Sequence, residues 1–111
     1  MAYDETLAGR LREIVAGIDG EITERKMFGG LAFMLNGHMF TGIVGDELML
    51  RLGAAGAEAA LRHEHAREMD FTGRSMKAMV FIEPAGLEGP ALDEWVTSAA
   101  AFTLTLPPKR A

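Results

Sequence analysis

Leu7, Leu11, Ile14, Val15 and Ile18 recur at i, i+4, i+7, i+8 and i+11, one face of a helix, and predict a helix over residues 4–18. Asp4 is placed to cap its start and Gly20 to stop it. Arg10, Glu13 and Gly17 fall on the opposite, wet face. From Ile22 to Leu52 the period changes to short apolar runs broken by glycine, which predicts a meander of four strands. Asn36-Gly37 between two such runs favours a two-residue type I′ turn, because both central positions need positive φ. Gly45-Asp46 predicts a second tight turn, and Gly29-Gly30 an earlier bend or bulge.

These turns fix an expected register. Leu35 should oppose His38, Phe33 oppose Phe40 and Leu31 oppose Gly42; across the next turn, Val44 should oppose Glu47, Gly42 oppose Met49 and Phe40 oppose Arg51. One face then carries Ala32, Met34, Met39, Thr41, Ile43, Leu48, Leu50 and Leu52 and is expected to be the main core. The other carries Leu31, Phe33, Leu35, Phe40, Val44 and Met49, with His38, Glu47 and Arg51 at its margin. It is too apolar to leave in water, so a helix, further strands or another subunit should cover it.

Residues 53–62 are alanine-rich and predict a short helix, and residues 63–67 a polar connection. Residues 69–73 and 76–82 predict two more strands with a turn near Gly73-Arg74, followed by a loop over 84–89. Pro90 sits where a first helical turn accepts proline; Leu92, Trp95, Val96, Ala99, Phe102 and Leu106 mark the buried stripe of the helix after it. Pro107-Pro108 ends that helix ahead of the basic Lys109-Arg110. The expected class is α+β: an antiparallel β-meander sheet with packed helices, in the order α-β-β-β-β-α-β-β-α.

At 111 residues the chain is one domain, since domains run to about 100–150 residues. No linker, repeat or low-complexity stretch divides it. Without cysteine it has no disulfide, cysteine-zinc or thiol chemistry. A net charge of −5 argues against a dedicated nucleic-acid binder, so no direct nucleic-acid contact is expected. With no leader-like or bilayer-length apolar stretch, a cytoplasmic protein without membrane attachment is expected.

Residues 25–30 read RKMFGG, 31–40 LAFMLNGHMF and 69–77 MDFTGRSMK; Leu106-Pro107-Pro108-Lys109 lies near the end, and the chain opens MAYDETLAGRLREI. Together these segments resemble the N-terminal domain of the TfoX/Sxy family, regulators of bacterial natural competence, over nearly the whole chain. The resemblance implies a fold similar to the secretion-chaperone-like folds, with helices on a curved antiparallel sheet. It also implies a non-enzymatic role connected with transcription of competence genes. The longer regulators carry a second, helical domain, and this chain is expected to be a stand-alone N-terminal domain. Ser75 stands where many relatives have proline, a departure that bears on loop stiffness.

The candidate ligand- or partner-binding residues are the basic side chains of the two motif segments: Arg25, Lys26, Arg67, Arg74 and Lys77. They would form an anion-binding patch where the segments meet. Ion pairing with Glu24, Glu68, Asp70 and Glu83 is the plainer alternative, because residues 22–82 hold equal numbers of basic and acidic side chains. Arg74 and Lys77 flank a turn, where function concentrates. Gly29-Gly30 precedes no helix and belongs to no phosphate-loop pattern. His63-Glu64-His65, with His38 or Glu68 as a third ligand, is the one metal-like cluster, but its polar post-helical setting reads as a surface turn, and no metal is expected. Ser75 and Ser98 lie in no nucleophile elbow, so neither catalytic residues nor a cofactor are expected, and the chain should not be an enzyme. Met27, Phe28, Met34, Met39, Phe40, Met49, Met76 and Met79 could form an adaptable surface or simply fill a core.

The preferred function is a regulatory module that binds a protein partner, or itself as a homodimer, through the second sheet face and the 74–77 loop. The alternative is a small-anion or nucleotide-binding protein using the basic patch. Any DNA role is expected to be indirect, through another protein such as a transcription factor.

Overall fold

A computed structural model describes residues 3–27, 29–71 and 74–107, with side chains at 27, 69–71 and 74–77 excepted. Asp4 opens α1 (Glu5–Val15): its Oδ1 accepts the Leu7 amide N–H at 3.0 Å, and Glu5 and Arg12 sit at the ends of the helix dipole that suit their charges. There follow β1 (Ile22–Met27), β2 (Gly30–Leu35), β3 (His38–Val44), β4 (Glu47–Arg51), α2 (Gly53–Ala60), β5 (Ala66–Phe71) and β6 (Arg74–Ile82). A 3-10 turn (Pro84–Gly86) leads to α3 (Ala91–Thr103). The strands form one antiparallel sheet in the order β1-β2-β3-β4-β6-β5. α2 carries the chain past β4, so β5 becomes the far edge and β6 returns between them. The predicted α+β class and element order hold.

All three helices pack on one face of the sheet. Leu7, Leu11 and Val15 of α1, Ala57 and Ala60 of α2, and Leu92, Val96 and Ala99 of α3 join a single buried cluster with Leu31, Phe33, Leu35, Phe40, Ile43, Leu48, Leu50, Val80 and Ile82. No helix among the described residues is long and apolar enough to cross a membrane.

The register corrects part of the expectation. Leu35 pairs with His38 and Met34 with Met39, but Phe33 pairs with Thr41 and Leu31 with Ile43. Phe40 is an extra residue, a bulge in β3, and both Phe40 and Thr41 are buried. Because side chains alternate, one inserted residue inverts the faces on its N-terminal side. Leu31, Phe33, Leu35 and Phe40 therefore join the helix-packed core, while Ala32, Met34 and Met39 move to the second face. Beyond the bulge the β3–β4 pairing runs as expected from Val44–Glu47 to Thr41–Leu50.

Asn36 and Gly37 have φ of 52° and 89°, as a type I′ turn requires. Gly29 at φ 72° belongs to a hairpin turn rather than a bulge, since Met27 pairs directly with Gly30. α1 ends at Val15, earlier than predicted, although Ile18 still packs on the core. β5 begins at Ala66, so Arg67 is in a strand rather than a connection; pairing with β6 overrides its polar local sequence. The predicted turn at residue 73 and the basic tail at 109–110 lie outside the described residues.

Candidate interaction face

The pairings link into one row across all six strands: Arg25–Ala32–Gly42–Met49–Phe81–Arg67. This row crosses the second face, away from the helices. At about 4.8 Å per strand it spans roughly 24 Å, with an arginine at each end.

Its middle is built from small residues beside a long one. A Cβ on Gly42 would meet the Met49 methyl at 2.6 Å, so the missing side chain is what lets Met49 lie down on the sheet. Met49 is fully buried, and with Met79 and Phe81 it forms a second cluster, separate from the helix-packed core and flanked by the half-buried Met39 and Val44. The Arg67 guanidinium lies over the Phe81 ring, 4.5 Å from its centroid, and binds both Glu47 carboxylate oxygens. Its aliphatic stem and planar head thus serve as part of the cover that a second layer would otherwise supply. Hydrogen bonding to Glu47, opposed by partial burial, raises the Arg67 pKa above the ordinary arginine value. Arg51 donates through Nε to the Met39 carbonyl at 2.6 Å, next to the bulge. Thr41 donates through its hydroxyl to the Met49 carbonyl at 2.7 Å.

The predicted basic residues separate on this frame. Arg25 lies on the second face of edge strand β1, and Arg67 ends the same row on edge strand β5. Lys26, one residue on, belongs to the helix side of β1, in register with Leu31. Among the described residues, neither Arg25 nor Lys26 has an ion-pair partner, and both are exposed. Arg74 and Lys77 lie in β6, with β2, β3 and β4 between that strand and β1; their side chains are outside the described set. Glu24, one of the expected ion-pair partners, binds Arg12 of α1 at 3.0 Å instead, on the helix side. Hydrogen bonding to Glu24 raises the Arg12 pKa.

His38, expected at the margin of the second face, stands on the helix side with Nε2 2.8 Å from the Pro107 carbonyl. Among the described residues no three His, Asp or Glu side chains gather as a metal site would need. What the sequence reading missed is the row itself. Among the described strand side chains on this face, Arg25, Arg51 and Arg67 stand against Glu47, so within a chain of net charge −5 the described part of this face is basic.

A family model described as the TfoX N-terminal domain matches residues 13–103, most of the chain. No curated protein and no solved structure gives a significant match.

Proposed function

Because the chain belongs to the TfoX N-terminal domain family, we propose that it is a non-enzymatic regulatory domain in competence control, acting on transcription indirectly through a protein partner. The partner docks on the second sheet face and presents a segment that is acidic at its ends and apolar between them. One observation carries this reading: the row with arginines at both edges, with the half-buried Met34, Met39 and Val44 beside it, on the face opposite the helix-packed core. Apolar centres ringed by charge suit protein recognition, and methionine adapts to varied partner surfaces. A face of opposite sign to the whole chain favours an acidic partner over a second copy, because a two-fold contact would set basic row against basic row.

The test uses two neighbours on one strand. Arg25→Glu changes the second face; Lys26→Glu makes the same charge change on the helix side. In the native host, overexpression and deletion should shift competence-gene transcripts in opposite directions. Arg25→Glu should lose the overexpression response while Lys26→Glu keeps it. Unchanged transcripts on both overexpression and deletion would overturn the regulatory reading. A response retained in full by Arg25→Glu would overturn the assignment of the face.

A further inference from the structure

A cavity of about 400 Å³ opens between the turn before β5, the 3-10 turn and the first half of α3, on residues that the interaction face does not use. Its walls include His63, His65, Glu88, Glu94, Trp95 and Ser98. The volume is within the usual range for small-ligand pockets, about 300–1,000 Å³. Three ties hold its shape. Trp95 donates its indole N–H to the Gly86 carbonyl at 3.3 Å, the His63 ring packs edge-on against the Trp95 ring at 5.0 Å, and the Glu83 amide donates to the His65 carbonyl at 2.8 Å. Gly86 matters to this closure, because a Cβ there would come within 2.8 Å of the His65 Cβ.

The chemistry of the walls points one way. Glu88 and Glu94 supply two carboxylates, while Glu64 and Glu83 stand 3.7 and 4.0 Å from the His65 ring. No lysine or arginine is among the described residues of the lining. The Arg10 guanidinium beside this lining is engaged by the Leu87 and Gly89 carbonyls at 3.0 and 3.3 Å, and an indole wall together with carboxylates is the setting that recognises an organic cation, by attraction to the ring and by charge-assisted hydrogen bonds. We propose that this cavity binds an alkyl ammonium or guanidinium group, whether from a free amine or from a basic side chain of another protein. The cation lies against Trp95, and Glu94 and Glu88 accept its N–H donors. The site is independent of the proposed partner face, so either assignment can fail alone.

Trp95 is the sole tryptophan, so intrinsic fluorescence of the full chain reports this cavity directly. The probes are putrescine, agmatine and doubly blocked arginine (N-acetyl-arginine amide), titrated as chlorides against sodium chloride at matched ionic strength. A saturable fluorescence change beyond that of sodium chloride is expected, and the Glu88→Gln/Glu94→Gln double variant should bind about tenfold more weakly or worse. Both glutamates are exposed, so the variant should keep its fold, checked by its circular dichroism spectrum. Binding of the free amines alone identifies a small-molecule source; binding of blocked arginine as well identifies a protein side chain; both support the site. No saturable change with any probe, or equal binding by the double variant, overturns it.

Discussion

At the scale of the residue, two glycines show how differently one residue type can be constrained. Gly9 lies in the exposed middle of α1 with no atom near where a Cβ would stand. Its cost to the helix is backbone entropy alone, so Gly9→Ala should stabilise the fold by about 1 kcal/mol. That corresponds to a rise of roughly 4 °C in Tm for a domain of this size. Gly30 begins β2, and a Cβ there would fall 2.0 Å from the Ile43 carbonyl oxygen, a backbone atom that can move only with its strand. Gly30→Ala should destabilise by at least about 3 kcal/mol, at the top of the range for overpacking. Thermal melts of the two variants check both signs. Arg67 gives a second contrast. A lysine in its place would keep the charge but lose the fork that holds both Glu47 oxygens and the planar head over Phe81. Arg67→Lys should cost about 1 kcal/mol, modest because the pair is half exposed. A raised folded-state pKa leaves this contribution fully present below the unfolded value, and it is lost only as pH rises through the folded one. Since both lie in the strongly alkaline range, arginine deprotonation adds no pH dependence near neutrality.

At the scale of the element, the β2–β3 hairpin separates what the chain announces from what it conceals. Its turn was legible because Asn-Gly is one of few dipeptides that accept positive φ twice, and Asn36 and Gly37 do so. Asn36 also closes the hairpin onto the preceding segment: its Oδ1 accepts the Glu21 amide at 3.0 Å, and its own amide donates to the Glu21 carbonyl at 2.9 Å. Asn36→Ala should therefore cost about 2 kcal/mol, one part from left-handed strain and one from the lost side-chain bond. Asn36→Gly removes only the second part and should cost about 1 kcal/mol or less, a difference that denaturant midpoints can resolve. The bulge at Phe40 was not legible, and the reason is physical. Alternation reveals register only when one face is polar, and here both faces are apolar on either side of Phe40. A one-residue insertion therefore displaced only His38 among the polar side chains, at the margin of the sheet, and the faces of β2 were assigned the wrong way round.

At the scale of the whole molecule, the same limit applies to the candidate site. Arg25 and Arg67 were singled out from local motifs, but their common row depends on β6 returning beside β4. No local pattern encodes that return. The cavity around Trp95 is of the same kind, because it joins residues 63–65 to the 85–98 stretch, which are apart in sequence. Sheet order has one more consequence, because among the described residues β1 and β5 each have a strand neighbour on one side only. An open edge is a template for adding another strand, and charged side chains are a common defence. β1 carries Glu24, Arg25 and Lys26 in succession, and β5 carries Arg67 and Glu68. If the charges on β1 guard its edge, replacing Arg25 and Lys26 together with threonine should preserve strand propensity and remove the barrier. The Arg25→Thr/Lys26→Thr variant should then self-associate with rising concentration in sedimentation velocity while the native chain does not. Loss of that association when Lys26 alone is restored would place the barrier on the helix-side charge, whereas loss on restoring Arg25 alone would show that one arginine both guards the edge and recognises the partner. A double variant that sediments like the native chain at every concentration would show instead that the edge is protected by its geometry rather than by its charge.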